Sequence, residues 1–253
     1  MLSDHEFKKY IAEHQLSTEA VDYISMVRSS EASRLVGVKA KRNICSWVVS
    51  EKMGRTISTE SRTAEKGFFF LCEYDDRVVE IWDQLEPETI YKANKNSDIR
   101  PSSYTPDFLI LTLDGPKIVE VKPEYKVSYF SEKLPDEWVV GEDGNTHHIP
   151  AQNAFDALNL DHKVFVYKES HRYRVANIEM LLASRLEEPF AIDLMTNVNK
   201  IFDESFYWNL YELKERLSLE NYTPLFQLYD RNVLHGDIDS GLLSDTKKFI
   251  VTL

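Results

Sequence analysis

Residues 102–126 read SSYTPDFLILTLDGPKIVEVKPEYK, and the two apolar runs in this stretch decide the fold of the chain. The runs FLILTL and KIVEV are almost continuously apolar, which is typical of neighbouring strands that are covered on both faces. Asp114 and Gly115 lie between them and favour a hairpin. Because Pro116 has no N–H to close a tight two-residue turn, we expect a four-residue loop, Leu113 to Pro116.

Three charged residues interrupt this apolar hairpin: Asp107, Glu120 and Lys122. In the expected register Asp107 lies opposite Lys122 and diagonal to Glu120, and the alternation of side chains along a strand places all three on one face. Charged groups on covered strands should be paired or bound to a metal. Spacing alone is equally consistent with two surface strands joined by a salt bridge between Asp107 and Lys122.

The same residues suggest a metal-dependent site. Two carboxylates on adjacent strands raise each other's pKa unless a cation neutralises them. A hard divalent cation takes oxygen ligands, here Asp107, Glu120 and the backbone carbonyl of Val121. Lys122 could orient or deprotonate a water, or stabilise the charge that develops on an attacked phosphate. Glu65, on a predicted helix, is the best-placed further acid.

The sequence around the hairpin predicts helices packed on a mixed sheet, which is an α/β fold. Helices are indicated over residues 60–74, which begin with an N-cap pattern, and over residues 151–159. Strands are indicated over residues 78–84 and 162–168, which are rich in β-branched and aromatic side chains.

Residues 171–253 have a different character. Helical periodicity covers residues 178–188 and 202–219, and we expect the aromatic side chains of the second helix to lie in a core. Short β segments are expected around Gly236 and Gly241, and helices followed by a small hairpin are the outline of a winged helix. This part carries 9 basic and 13 acidic residues, which favours a protein-docking module over a DNA reader.

Charge and composition restrict the function further. The 253-residue chain has a formal net charge of −12, which argues against an independent, non-specific grip on nucleic acid. Residues 39–66 carry seven basic and three acidic residues, and they form either a phosphate-facing strip or a solvated surface. Cys45 and Cys72 fit no metal spacing and no disulfide framework, and we find no signal peptide and no apolar run that could span a bilayer. We therefore expect a cytoplasmic protein.

Pro106-Asp107, followed on the next strand by Glu120-Val121-Lys122, resembles the signature of the PD-(D/E)xK nuclease superfamily. More of the chain is similar to the TnsA endonuclease subunit of heteromeric transposases. The similar segments are GRTISTESRTAEKGFFFLCEYDDRVVEIWDQ, YTPDFLI and IVEVK. The resemblance covers roughly residues 40–170 and extends more weakly to a C-terminal winged-helix region. It implies a restriction-endonuclease-like mixed sheet flanked by helices, followed by a helical winged-helix-like domain.

On this basis we divide the chain into three parts. Residues 1–37 are an N-terminal helical segment, residues 38–169 a PD-(D/E)xK endonuclease domain, and residues 170–253 a winged-helix-like domain.

The resemblance also implies an activity. Proteins similar to TnsA cut the 5′ ends of a mobile element with Mg²⁺, for which Mn²⁺ can substitute. A separate transposase subunit cuts and joins the 3′ ends, and an ATPase regulator docks on the C-terminal region. The implied substrate is double-stranded DNA at transposon ends, and the implied partners are the transposase subunit and the ATPase regulator. The resemblance implies no membrane partner and a location in the bacterial cytoplasm.

Carried over by position, Glu65, Asp107, Glu120 and Lys122 would be the catalytic residues. The three acids, together with the carbonyl of Val121, would hold the metal, and Lys122 would be the catalytic lysine.

The identity of the helix ligand stays open. The spacing from Ser61 to Glu65 is one residue longer than the pattern of the family, which leaves Glu60 and Glu73 as alternatives to Glu65.

Two other functions compete with this interpretation. One is a stand-alone nuclease of the same superfamily, such as a restriction or junction-resolving enzyme, against which the acidic composition and the winged-helix-like tail weigh. The other is a non-catalytic assembly subunit of a transposition complex, which the intact set of Asp107, Glu120 and Lys122 disfavours.

Overall fold

The computed structural model describes residues 1–30, 46–59, 63–83, 85–93, 98–191 and 193–253. These residues form two compact units, Met1–Lys168 and Glu169–Leu253. The elements of the first unit are α1 (Asp4–Glu13), α2 (Thr18–Ser29), β1 (Ser46–Ser50), β2 (Arg55–Thr59), α3 (Ala64–Tyr74), β3 (Val78–Asp83), β4 (Glu88–Ala93), β5 (Ile99–Tyr104), β6 (Phe108–Thr112), β7 (Gly115–Pro123), α4 (Glu124–Lys133), β8 (Trp138–Val140), β9 (Thr146–His148), α5 (Ile149–Asp156) and β10 (Asp161–Tyr167).

A four-stranded mixed sheet is the centre of the first unit. Its strand order is β10-β7-β6-β3, in which β10 runs parallel to β7 and the other two pairs are antiparallel. This confirms the predicted α/β class, and the strands predicted over residues 78–84 and 162–168 are β3 and β10. Helix α5 ends at Asp156 rather than at Asn159, because Asn159 adopts a left-handed backbone conformation with φ of 55°.

Helix α3 covers one face of the sheet. The Phe68 ring lies 5.2 Å from that of Phe108 in β6 and 4.9 Å from that of Phe165 in β10. Helix and strand approach closely at Gly67, where a Cβ atom would stand 2.5 Å from the ring of Tyr167. A glycine inside a helix costs about 1 kcal/mol relative to alanine, and here it permits the close approach.

Helices α1, α2 and α5 cover the other face, so the prediction that β6 and β7 are covered on both sides is confirmed. The Tyr10 hydroxyl of α1 also donates a hydrogen bond of 2.9 Å to the carbonyl of Thr112 at the end of β6. The core of this face contains Phe7, Tyr10, Ala20, Tyr23, Ile24 and Val27 of α1 and α2, Phe155 of α5, and Leu109, Leu111 and Ile118 of the sheet.

A buried ion pair joins the N-terminal helices to the sheet. Arg28 of α2 donates two bonds of 3.1 Å to the carboxylate of Glu80 in β3. Glu80 is completely buried, and it accepts further bonds from the backbone N–H of Leu2 and from the indole of Trp82, each 2.8 Å long. All of its charge is therefore satisfied inside the unit.

Three two-stranded ribbons surround the sheet: β1-β2, β4-β5 and β8-β9. Tyr104 is the last residue of β5 and lies at the edge of the core, and β9 ends at the buried His148. No helix in these described residues, or in those of the second unit, is long and apolar enough to cross a bilayer.

The second unit is mainly helical. Its elements are α6 (His171–Arg185), α7 (Asp193–Phe202), β11 (Trp208–Asn209), α8 (Leu210–Arg216), α9 (Thr223–Asp230) and β12 (Ile250–Val251).

The helix predicted over residues 202–219 is interrupted, so that prediction is wrong in its first half. Helix α7 ends at Phe202, and α8 begins after Asn209, whose side-chain oxygen accepts a capping bond of 2.8 Å from Glu212 N. Phe206 and Tyr207 lie in the interruption and are 91% and 63% exposed. These two rings, and that of Tyr211 in α8, which is 40% exposed, are not core residues, contrary to expectation.

The predicted β segments are only partly present. A β-bridge joins His235, beside Gly236, to Thr252, whereas Gly241 directly follows the turn of residues 238–240. Asn177 explains the turn, because its buried amide donates to the carbonyls of Ile238 and Gly241. Backbone groups held by a side chain are not available for a strand ladder.

Candidate active site

The β6-β7 hairpin brings the three charged residues together. Thr112 pairs with Gly115, so the loop contains only Leu113 and Asp114. Continued beyond Phe108 and Val119, this register places Asp107 opposite Glu120, with Lys122 on the diagonal. The expected pairing of Asp107 with Lys122 is therefore wrong by two residues, but the parity is the same and the three residues share one face.

The displacement of the turn has a physical reason. Gly115 has φ of +115°, which only glycine adopts easily, and it forms the closing pair. Pro116 pairs with Leu111, one step beyond the closing pair, so its missing N–H does not limit the turn. The Thr112 hydroxyl completes the turn by accepting a bond of 3.1 Å from Asp114 N.

Asp107, Glu120 and Lys122 form one ion-paired cluster. The Lys122 ammonium contacts Glu120 Oε1 directly and lies 3.6 Å from Asp107 Oδ2. The N–H of Val121 donates a bond of 2.7 Å to the same Asp107 oxygen, and Lys122 Nζ lies 3.3 Å from the Val121 carbonyl oxygen. The Glu120 side chain is 7% exposed, and those of Asp107 and Lys122 are 23% and 21% exposed. The cluster is partly enclosed but open to solvent.

The electrostatics of the cluster favour a cation. Burial raises the pKa of Asp107 to about 8, and the carboxylate of Glu120 adds to the rise. Burial lowers the pKa of Lys122, but Asp107 and Glu120 outweigh that effect, and the pKa of the ammonium is raised overall. The ionised form of Asp107 is therefore disfavoured with Lys122 as its only cation, and a further cation would stabilise it.

Of the three candidate helix acids, Glu65 acts on this cluster. It lies in the first turn of α3, and its charge raises the pKa of both Asp107 and Lys122. Glu73 is buried near the other end of α3, where it accepts bonds from the Ser50 hydroxyl and Lys52 N. It serves the β1-β2 ribbon and is not brought to the site. Glu60 lies outside the described residues.

The cluster fits a magnesium site of low protein coordination. Within the described residues, no group of three or more His, Cys, Asp or Glu side chains is placed to hold a metal ion. Mg²⁺ in proteins is commonly held by one or two carboxylates and keeps several waters. Asp107, Glu120 and the Val121 carbonyl supply such a set of oxygens. Lys122 Nζ contacts an oxygen of Glu120 and lies within 3.6 Å of an oxygen of each of the other two.

The sequence did not reveal two residues behind the cluster, Tyr104, which contacts Glu120, and His162, which contacts Tyr104. The Tyr104 hydroxyl donates a bond of 2.7 Å to Glu120 Oε2 and lies 2.9 Å from Nε2 of His162. Tyr104 precedes Asp107 by three residues in the quoted stretch, and His162 is the second residue of β10, the strand that pairs with β7. The only signal was a large aromatic residue beside the Pro-Asp pair.

The predicted basic strip is partly internal. Lys52 donates a bond of 2.8 Å to the Val78 carbonyl, and Arg55 lies 3.4 Å from Asp83 and over the Trp82 ring. These two cations stabilise the fold. The basic residues Lys39, Lys41, Arg42 and Arg62 lie outside the described part of the chain.

Comparison with known proteins adds no assignment, because no family model and no curated protein matches this sequence. The geometry of the cluster is therefore the basis for a functional proposal.

Proposed function

We propose that this protein is a Mg²⁺-dependent DNA endonuclease of the PD-(D/E)xK type. It acts as a subunit of a heteromeric transposase and cleaves the 5′ ends of a transposon during cut-and-paste DNA transposition. The observation that carries the proposal is the cluster of Asp107, Glu120 and Lys122 at the end of a covered hairpin, with the charge of Glu65 acting on it.

The residues of the cluster have distinct tasks in phosphodiester hydrolysis. Asp107, Glu120 and the Val121 carbonyl would hold the cation. When bound, Mg²⁺ supplies a Lewis acid that lowers the pKa of a water and neutralises phosphate charge. In the reaction the water oxygen forms a bond to phosphorus and the bond from phosphorus to the leaving strand oxygen breaks. The attacking water loses a proton to solvent, and the leaving oxygen takes up a proton from solvent to become a hydroxyl.

Lys122 acts as an electrostatic stabiliser rather than as a base. Its pKa is raised by the neighbouring carboxylates, so the ammonium is charged at neutral pH and has no free electron pair with which to accept a proton. A charged ammonium at the mouth of a partly enclosed site stabilises the negative charge that develops on an attacked phosphate.

The fold of each unit supports the same proposal. The mixed sheet with α3 on one face and α1, α2 and α5 on the other is compatible with a restriction-endonuclease-like core. In the second unit, helices precede the pairing of β11 with β12, which is compatible with a winged-helix-like module. Because residues 171–253 are net acidic, we propose that this unit docks the ATPase regulator, while the transposase subunit brings the transposon ends.

The test is strand cleavage by the full chain with Mg²⁺ or Mn²⁺, alone and with a transposase partner on DNA that carries transposon ends. We expect cleavage at the 5′ ends only with the partner. We expect Lys122→Met to reduce its rate about 10²- to 10³-fold, the usual cost of removing one charge-stabilising donor. Lys117→Met, on the same strand, is the matched control and should cut at the normal rate.

Other outcomes distinguish the competing functions. Cleavage that does not depend on a partner would identify a stand-alone nuclease. An assembled complex that transposes normally with Lys122→Met would show that the cluster is only a cross-strand ion pair and that the subunit is a scaffold.

A further inference from the structure

Tyr104 holds one of the two oxygens of Glu120. Its hydroxyl donates to Oε2 over 2.7 Å, whereas Oε1 contacts the ammonium of Lys122. The two oxygens of this carboxylate are thus assigned to different partners, one behind the site and one within it. A carboxylate held at one oxygen keeps a single orientation of the other.

His162 in turn holds Tyr104. Because the phenol proton is directed to Glu120, the phenol oxygen can only accept from His162, whose Nε2 lies 2.9 Å away. His162 must therefore carry its proton on Nε2. Burial lowers the pKa of His162 to about 4, so the imidazole is uncharged at neutral pH.

The surrounding rings leave Tyr104 little freedom. Its ring meets the rings of His148, His162 and Phe155 edge-on, with centroids 5.4, 5.9 and 6.4 Å away. Phe155 and His162 also stack on each other at 5.8 Å. These residues come from β9, β10 and α5, so three elements fix the direction of one hydroxyl.

We propose that Tyr104, oriented by His162, is the positioning residue for Glu120 and presents Oε1 of that carboxylate to the cation. This inference rests on the proposed function. Tyr104 touches neither the cation nor the DNA in this scheme and acts only through Glu120. Groups that orient a metal ligand in this way commonly change metal affinity 10- to 100-fold when removed.

The test is calorimetric titration of Mn²⁺ alone into the full chain and into Tyr104→Phe, which removes the hydroxyl and keeps the ring. We expect the dissociation constant for Mn²⁺ to rise about 10- to 100-fold, with cleavage largely recovered at saturating Mn²⁺. Tyr10→Phe is the matched control, because it also removes a buried hydroxyl with one hydrogen bond, to Thr112, but lies outside the cluster. Its Mn²⁺ affinity should equal that of the wild type.

Nitrogen-15 NMR of the imidazoles in the metal-free protein supplies a readout that does not involve the metal. We expect His162 to carry its proton on Nε2, and Tyr104→Phe to shift that signal while Tyr10→Phe leaves it in place. A proton on Nδ1 of His162 would overturn the hydrogen-bond chain.

The outcomes separate this inference from the proposed function. Wild-type protein that binds Mn²⁺ and cuts DNA, together with an unchanged dissociation constant in Tyr104→Phe, would overturn the positioning role alone. Equal weakening in Tyr104→Phe and Tyr10→Phe would reduce it to a general loss of stability. Wild-type protein that neither binds Mn²⁺ nor cuts DNA would overturn the proposed function and this inference together.

Discussion

Asp107→Asn should make the metal-free protein more stable while it abolishes cleavage. In the folded chain the pKa of Asp107 is raised from 3.8 to about 8, because burial and the charge of Glu120 both disfavour the ionised carboxyl. The folded state therefore binds more protons than the unfolded state between these two values, and stability falls as the pH rises through that window. Asparagine keeps an oxygen for the N–H of Val121 but carries no charge.

The pKa values set the size of the effect. Each pH unit above 3.8 lowers the free energy of unfolding of the wild type by about 1.4 kcal/mol, so the total loss at pH 7 is at most about 4 kcal/mol. Local rearrangement and water entry reduce that cost, and we expect a measured gain of at least about 1 kcal/mol at pH 7. The difference between variant and wild type should fall below about 1 kcal/mol near pH 4, where the carboxyl is protonated in the folded state and close to half protonated in the unfolded state.

Amide hydrogen exchange of β6 and β7, with a chelator present, reports the free energy of unfolding of the first unit without interference from the second. Asp114→Asn is the matched control on the same hairpin. Its carboxylate is exposed and paired with Arg77, so its loss should not stabilise the protein at any pH. If Asp107→Asn is no more stable than the wild type at pH 7, or gains the same at pH 4, the reasoning about this carboxyl is refuted.

Three further predictions concern the same unit. Mn²⁺ binding at pH 7 should release up to one proton, from Asp107, and the affinity should rise about fivefold between pH 7 and pH 8, because the ionised fraction of a carboxyl with a pKa of about 8 rises by that factor. Calorimetry in buffers of different ionisation enthalpy would measure both changes, and no proton release would contradict the raised pKa. Arg28→Met should lower the free energy of unfolding by about 3–5 kcal/mol in urea titrations, because Glu80 stays buried without its cation. A loss below about 1 kcal/mol would show that Glu80 is solvated. His148→Phe should raise the free energy of unfolding more at pH 4.5 than at pH 7. Burial lowers the pKa of His148 to about 3, so the stability that depends on the neutral imidazole is complete above pH 6.5 and is lost as the pH falls toward 3. An equal change at both pH values would be inconsistent with this.

Much of the hairpin could be predicted because its signals are local. Apolar runs fix two covered strands, and the alternation of side chains fixes which residues share a face. The position of the turn was missed because Asp114-Gly115 is a preferred turn pair, whereas the chain places Gly115 at the closing pair instead. The error moved every cross-strand partner by two residues. Because side chains alternate with a period of two, the same residues still share one face, and the predicted cluster is present.

Other features depend on contacts between distant parts of the chain. Tyr104 and His162 meet only because β10 pairs with β7 and the β4-β5 ribbon ends beside them, and no local spacing encodes that meeting. Phe206 and Tyr207 fit a helical repeat, but the pairing of β11 with β12 interrupts the helix there. Tertiary pairing overrode the local periodicity in this second case.

The packing of α1 and α2 has a practical consequence for work with fragments. A shortened chain that starts at residue 38 would keep every residue of the cluster, yet it would remove the cover that α1 and α2 provide for Leu109, Leu111 and Ile118. It would also leave Glu80 buried with neither the guanidinium nor the backbone N–H that satisfy it. Such a fragment should aggregate, and its inactivity would say nothing about catalysis.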